Sequence, residues 1–502
     1  MSEAAITKAD GKKHSFLVFI AVVGLGVLMV SGCMVGPNFI PPQSTVPTEW
    51  VGVTKAATSQ PSVATGQPAD LTQWWRQFND PTLTALVEEA MKTNLDLQVA
   101  EARLRQARAM RGVVVGGLWP SVTASGGYQR FLKTNVAQKD LDEQNLYQAG
   151  LDALWELDIF GGQRRSVESA DANIQAAIEN IRDVQVTLIA EVALNYIQLR
   201  GYQQEIVVAQ KNLKAQEDTA EITHKQLNVG FASALDAANA DANVATTESQ
   251  IPVFETSAQQ SIYALSVLLA RPPADLLKQL SLTGALPTVP AQIPAGLPSD
   301  LLRRRPDIHE SEAQLHAATA QIGVAVADFF PTFSLTGAVN WNSNLLRTWW
   351  NKSSLSVGAG PSVTWPIFQG GAIASNVRLQ EALRDQAFIA YQQTVLAAFQ
   401  DVENALIAFA KEQQHRKELK DAVIANRKAV DLSLLLYTEG QTDFLNVATA
   451  QRLLYAAEDA LVQSERSIAT DLIALYKALG GGWESLQPGK DGNISSRNNE
   501  EN

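Results

Sequence analysis

The chain has 502 residues and a formal charge of −12, with no long basic block, which argues against a nucleic-acid partner. It is too polar to be a bundle of membrane-spanning helices, and its one continuous apolar run, about Phe16 to Val30, is short for a spanning helix. A single cysteine, Cys33, excludes any disulfide within one chain.

Lys12 and Lys13 precede the apolar run, and Val30-Ser31-Gly32-Cys33 follows it. Positive region, apolar region and small-residue site make a secretory signal peptide over residues 1–32. Its ending resembles a bacterial lipobox, so a diacylglycerol is expected on Cys33, and apart from this covalent lipid no cofactor is expected. Removing residues 1–32 takes out three basic and two acidic residues and leaves −13. Met34 after the cysteine, by resemblance to Gram-negative lipoproteins, favours sorting to the outer membrane. Residues 33–80 then read as a lipidated arm, polar and without periodicity to about Gln67.

A first repeat is expected over 81–271. Asn79-Asp80-Pro81 is a cap followed by proline at the first helical position, and the helix is read to about Val114. Trp119-Pro120 ends it. Ser121 to Gln129 alternates as a strand, Lys133 to Asn145 reads as a charged loop, and Leu146 to Leu157 as the returning strand. After Phe160-Gly161-Gly162 a helix is expected from about Gln163 to Asn228, on the order of 100 Å long. Its seam, Ile174, Ile178, Ile181, Leu188, Val192, Tyr196 and Leu199, is near a seven-residue repeat. Gly230 breaks it, and a further helix runs from about Ser233 to Ala270, with a kink expected at Pro252.

Residues 272–299 form a Pro-rich linker, and the cycle returns over 300–483: a helix to about Asp328, a strand to Trp341, and a strand from Leu355 to Trp365. Pro366-Ile367-Phe368-Gln369-Gly370-Gly371 follows, then a helix without proline from Ala372 to Tyr437, with Leu379, Leu383, Ala387, Ala390 and Ala397 at helical spacing. Landmarks repeat at offsets of about 208 to 211, as in Pro120 and Pro331, Phe160 and Phe368, Gly230 and Gly440. The chain is therefore a tandem duplication. The tail, 484–502, is polar and reads as disordered.

The strands have the length of membrane strands and carry aromatics at both ends: Trp119, Trp155, Phe329, Phe330, Trp365 and Phe368 at one, Tyr128, Tyr147 and Trp341 toward the other. That is the girdle pattern of an outer-membrane barrel. Four strands close no barrel, and lipid tolerates no open edge. Two, three or four copies would supply about eight, twelve or sixteen strands, and physical reasoning leaves that choice open.

These landmarks together resemble the outer-membrane efflux factor family, the TolC/OprM/NodT type, from Cys33 to about Trp483. The most specific pieces are Cys33-Met34-Val35-Gly36-Pro37, Leu301-Leu302-Arg303-Arg304-Arg305-Pro306-Asp307-Ile308, Phe330-Pro331, and Tyr437 through Arg452. The resemblance implies a mainly α fold with membrane β: a homotrimer forming a 12-stranded barrel continuous with a periplasmic helical tunnel. It implies an equatorial domain, a periplasmic adaptor and an inner-membrane pump of the resistance-nodulation-division type as partners. It also implies an aperture at the two helix–glycine–helix turns. Asp236 and Tyr437 match latch positions there, and Gly230 and Gly440 mark tips for adaptor docking. The arginine of the family's latch falls at Thr442 and its acidic ring at Asn446 and Thr449, so that bridge does not carry over. Asp443 is the carboxylate left to line the constriction, where three copies would favour cations.

No phosphate loop, hydrolase elbow or zinc-protease motif is present, and no catalytic residue is assigned. His309, Glu312 and His316 share a helix face, but without further ligands nearby they read as a solvated surface. Arg303, Arg304 and Arg305 read as structural. The expected activity is a passive exit duct for drugs or other small molecules. The alternatives are the duct of a type I protein-secretion or metal-export system, or a lipid-anchored coiled-coil scaffold.

Overall fold

In a computed structural model, residues 34–43, 47, 50, 63–65, 71–135, 140–290, 292–294 and 298–486 are described. Cys33 and the tail beyond 486 lie outside them. The elements in order are β1 (Val63–Thr65), α1 (Pro81–Thr93), α2 (Leu95–Gly116), β2 (Ser121–Asn135), β3 (Asp140–Leu157), α3 (Gly162–Asn228), α4 (Ala234–Leu268) and α5 (Leu277–Leu280). Then come β4 (Gln292–Pro294), α6 (Pro298–Arg304), α7 (Pro306–Ala327), β5 (Thr332–Ser343), β6 (Leu355–Thr364), α8 (Ala372–Thr438) and α9 (Phe444–Ala478). The duplication is plain in length: α3 and α8 are each 67 residues, α4 and α9 each 35.

The chain divides into two compact units, with one division in the arm after Gln43 and the others inside α2, α3, α7 and α8. One comprises Met1–Gln43, Arg103–Ala177 and Glu310–Tyr391; the other comprises Ser44–Ala102, Ile178–His309 and Gln392–Asn502.

In the first unit β2, β3, β5 and β6 form an antiparallel sheet in that order, so the two repeats join at the β3–β5 pair. The register sorts side chains by chemistry. One face carries Val122, Ala124 and Tyr128 against Ala153, Leu151 and Tyr147, then Gly337, Val339 and Trp341, then Ala359, Val357 and Leu355. The other carries Thr123, Ser125, Asp152, Thr336, Asn340, Ser356 and Gly360. Val122, Val357 and Val363 are 67%, 68% and 58% exposed in the single chain. A continuous apolar sheet face open to solvent requires a non-aqueous neighbour.

Asp158 starts α3: its carboxylate accepts from the backbone N–H of Gln163 (3.1 Å) and Arg164 (2.9 Å). The corresponding junction before α8 turns on Gly370 and Gly371, with φ of +59° and +86°.

The second unit holds the main core. Trp74, Trp75 and Phe78, on a short 3-10 helix, are buried with Leu83 and Val87 of α1, Tyr196 and Leu199 of α3, Leu406 and Phe409 of α8, and Leu472 and Tyr476 of α9. Asp80 caps α1, accepting from Thr82 N (2.8 Å) and Leu83 N (3.0 Å), and takes the Tyr196 hydroxyl at 2.7 Å.

Several expectations are corrected. The helix read to Val114 is two helices. Asn94 breaks it by capping α2 through Leu97 N (3.0 Å) and donating to Leu268 O (3.0 Å). The second-repeat helix likewise splits at Arg305, because Pro306 has no N–H and disfavours α geometry in the residue before it. Residues read as a charged loop at 133–145 continue the β2–β3 ladder out to Asn135↔Asp140. Charge does not end a strand that has left the apolar band, and Arg130 pairs with Glu143 across it. Part of the arm and the linker also pair, β1 running parallel to β4. Along the α3 seam Leu188, Val192, Tyr196 and Leu199 are buried. Ile174, Ile178 and Ile181 are only half-buried, and Ala172, Ala176 and Glu179 take the inner positions instead. Small residues allow the closest helix approach.

Candidate functional site

The two helix–glycine–helix turns are built alike. At the end of α3, Gly230 has φ +83°, its N–H bonds Leu227 O (3.0 Å), and Phe231 N bonds Gln226 O (2.8 Å). At the end of α8, Gly440 has φ +73°, its N–H bonds Tyr437 O (3.0 Å), and Gln441 N bonds Leu436 O (2.8 Å). Both are Schellman caps, in which glycine supplies the left-handed residue. Both turns lie at one end of the second unit, held by a small cluster of Ala220, Ala240, Tyr437, Phe444, Val447 and Ala448.

The helices leaving the turns start differently. Ser233 and Asp236 form a capping box on α4: the Asp236 carboxylate accepts from Ser233 N (2.9 Å) and Oγ (2.7 Å), and Asp236 N donates to Ser233 Oγ (3.1 Å). Asp236 is thus engaged by its own helix start. On α9 the N-cap is Asp443, exposed and making no side-chain cap bond. Asn446, at the position matching Asp236, donates to Thr442 Oγ1 at 2.7 Å. Tyr437 is buried, stands edge-on to Phe444 with ring centroids 5.7 Å apart, and donates its hydroxyl to Thr223 Oγ1 at 3.3 Å. Burial pushes its phenol above the ordinary tyrosine value.

Farther from the turns, polar residues missed in the sequence join α3 to α9. Gln451 Nε2 donates to Thr219 Oγ1 at 2.7 Å, and Asn212 Nδ2 donates to Glu458 Oε2 at 2.7 Å. Glu458 also takes Lys211 (3.2 Å) and Arg427 of α8. The available signal was the seven-residue spacing of Glu205, Asn212 and Thr219, which ordinarily reads as a solvated stripe.

In the first unit the arm after Cys33 is seated by Arg165, the largest fully buried charged side chain described. Its guanidinium donates to Val35 O (3.0 Å), Gly36 O (3.3 Å), Asn38 Oδ1 (2.8 Å) and Glu168 (2.7 Å). Val35 N donates to Phe160 O at 3.1 Å. Gly36 has φ +87°, and a Cβ there would stand 2.4 Å from the Gly323 backbone, so only glycine fits. His316 bonds Glu168 (3.0 Å) and stacks on Phe39 at 4.4 Å. It therefore serves the arm, and among the described residues no group of three or more metal-ligating side chains forms. Arg305 is held by Asp307 (2.8 Å), Asp401 (3.1 Å) and Ala478 O (3.1 Å), and Arg304 by Glu484 (2.9 Å), all within the second unit.

At both ends of the strands aromatic rings gather. Phe160 stacks on Phe330 at 4.5 Å, while Tyr128 and Tyr147 (5.0 Å), Trp341 and Trp350 (5.4 Å) and Trp349 and Trp350 (5.0 Å) group at the opposite end.

Comparison with known proteins agrees with this architecture. The family model described as outer membrane efflux protein matches residues 86–271 and 297–481. Nodulation protein T of Rhizobium leguminosarum bv. viciae is 32% identical over 472 residues, covering 94% of each chain. The probable efflux pump outer membrane protein TtgC of Pseudomonas putida is 32% identical over 475 residues, covering 91% of this chain and 94% of its own. The solved structure of the outer-membrane channel OprN superposes with a TM-score of 0.82 at 35% identity, over 90% of this chain and all of that one. The chain belongs to the outer membrane efflux protein family.

Proposed function

We propose that this chain is the outer-membrane exit duct of a tripartite efflux system, carrying drugs or other small molecules from the periplasm to the exterior. The observation that carries the reading is the sheet with one apolar and one polar face, made of strands of about membrane-spanning length. A water-soluble scaffold would leave that apolar face without a use. In lipid the polar face lines a lumen, and the unpaired outer edges of β2 and β6 demand neighbouring copies. Three copies of four strands make a twelve-stranded barrel. Leu379 and Leu383 of α8, 54% and 43% exposed in one chain, supply an apolar stripe for the neighbouring copy.

The duct does no bond chemistry. Transport energy comes from an inner-membrane pump through a periplasmic adaptor, which meets the duct at the turns of Gly230 and Gly440. Exposed Phe231 (85%), Leu235 (68%) and Leu445 (63%) offer apolar contacts there. Asp236, Tyr437, Asp443 and Asn446 belong to the aperture. Tyr437 ties α8 to α3, and Asp443 is the carboxylate free of its own cap that three copies turn toward the constriction. A lipid on Cys33 holds the arm to the membrane, with the Arg165 seat fixing its path from Met34 onward.

The test is deletion in a strain without redundant ducts, followed by drug susceptibility and by complementation with the full chain. Sensitisation that the chain reverses is expected. Unchanged susceptibility, together with protein that stays soluble once Cys33→Ser removes the lipid, would return the scaffold reading.

A further inference from the structure

The loop between β5 and β6 is built to hold one shape. Ser343 Oγ accepts from Leu345 N (3.2 Å) and lies 2.8 Å from Thr348 Oγ1, while Ser354 Oγ donates to Thr348 O at 2.8 Å. Two short 3-10 turns, Leu346–Thr348 and Lys352–Ser354, fill the interval. Trp349 Nε1 donates to Trp341 O at 3.2 Å and ties the loop back to its own strand.

The rings show which way it folds. Trp341 and Tyr147 both stand on the apolar face of the sheet. Trp350 lies 5.4 Å from Trp341, Trp349 lies 6.0 Å from Tyr147, and the two loop indoles stack on each other at 5.0 Å. The loop is therefore laid against the apolar face and turned away from the polar one. Leu345, Leu346 and Trp350 remain exposed on it. The helices join the sheet at its other end, so in an outer membrane this loop stands at the outer leaflet.

A girdle accounts for the rings but not for the charge. Residues 344–354 include Arg347 and Lys352 and no acidic residue, in a chain of net charge −12. Both cations are exposed, and among the described residues neither makes an ion pair. Arg130, on the same face of β2, is by contrast neutralised by Glu143. Indole and leucine settle at the edge of the hydrocarbon, and long cationic side chains reach past them to anionic oxygens. A guanidinium matches a phosphate in two-pronged fashion, and an ammonium adds a point charge. At that depth of an outer leaflet the anions are the phosphates on the sugars of its glycolipid, with the acyl chains directly below.

We propose that the β5–β6 loop is a docking site for the phosphorylated glycolipid of the outer leaflet. Arg347 and Lys352 take a sugar phosphate, and Leu345, Leu346 and Trp350 lie against the acyl chains. Each copy carries one site, so the assembled barrel holds a collar of bound lipid at its outer rim. This inference rests on the barrel of the proposed duct.

The experiment titrates detergent-extracted full-length protein with diphosphoryl lipid A, with lipid A stripped of its phosphates, and with phosphatidylglycerol. Native mass spectrometry counts the lipid on the assembled particle. Wild type is expected to bind diphosphoryl lipid A in preference to the other two. Arg347→Ser/Lys352→Ser is expected to weaken that binding about thirtyfold, the effect of two surface charges. The comparison of lipids on wild type stands even where the double variant fails to assemble. Equal binding of dephosphorylated lipid A would reduce the loop to an ordinary girdle, and equal binding of phosphatidylglycerol would make it an unselective anionic patch. An assembled double variant with undiminished binding would put the phosphate elsewhere. Each of these overturns the site and leaves the duct intact. A wild-type chain that forms no barrel in detergent would instead remove the duct reading, and the site with it.

Discussion

Glu205 is buried in the α3 seam beside Arg466, whose guanidinium also lies 4.6 Å from the Tyr202 ring centre. The pair is within ion-pair distance, yet neither Glu205 Oε1 nor Arg466 Nη1 makes an aligned hydrogen bond. Desolvation therefore outweighs attraction to Arg466, with Asp459 adding repulsion, and the carboxyl is pushed up from 4.5 to about 7. Tyr455 nearby is pushed up to about 12, chiefly by burial. A folded value above the unfolded one means that the stabilising contribution is full below about 4.5, declines as pH rises, and is gone above about 7. At 1.36 kcal/mol per unit the swing is on the order of 3 kcal/mol. Glu205→Gln should thus match wild type near pH 4.5 and gain relative stability toward pH 8, read from denaturant melts in detergent. A variant-to-wild-type difference that does not move over that range would discount the desolvated carboxyl. Glu458 is the opposite case. Its desolvation is overcome by Asn212, Arg427 and Lys211, which hold it below the ordinary carboxylate range, so its contribution is lost only as pH falls through that depressed value.

At the scale of elements, the strands were legible because their alternation is a local pattern. Val357 and Ser356 are neighbours in β6 on opposite faces. Val357 shares a rung with Val339, Leu151 and Ala124, and Ser356 one with Asn340, Gly150 and Ser125. Val357→Arg puts a charge on the lipid face, on the rung of Leu151, which lies midway between Tyr147 and Trp155 of β3, and should cost about 2–4 kcal/mol, seen as a fall in assembled outer-membrane protein. Ser356→Arg faces the lumen and should assemble normally while altering ion selectivity. Equal damage from both would mean that the faces are not divided between lipid and water. Strand ends and helix breaks were less legible. Asn94 could be read as a helix residue until its partner Leu268, 174 positions away, supplied a carbonyl. The short β1–β4 ladder has too little local pattern to be read from either segment alone.

For the whole molecule, β2 and β6 are the outer strands of a four-stranded sheet. Closing their edges requires further copies, and native mass spectrometry of detergent-extracted protein should find three chains. A monomer in detergent would mean that the sheet closes by some other route. The candidate site was partly legible at this scale. Gly230 and Gly440 stood out because a long helix can end on a left-handed residue most easily with glycine. The engagement of Asp236 by Ser233, and of Asn446 by Thr442, depended on side-chain geometry at the two turns.

By itself the sequence determined the duplication, the order of strands and long helices, the turn glycines and the alternation of the strands. Each of these is a property of period or backbone freedom, carried by neighbouring residues. Only the tertiary structure decided that Arg165 seats the arm, that Tyr437 reaches Thr223, and that three polar pairs bind α3 to α9. Those contacts join residues 127 to 261 positions apart, and whether a polar side chain is solvated or buried against a partner is settled by packing, on which local periodicity is silent.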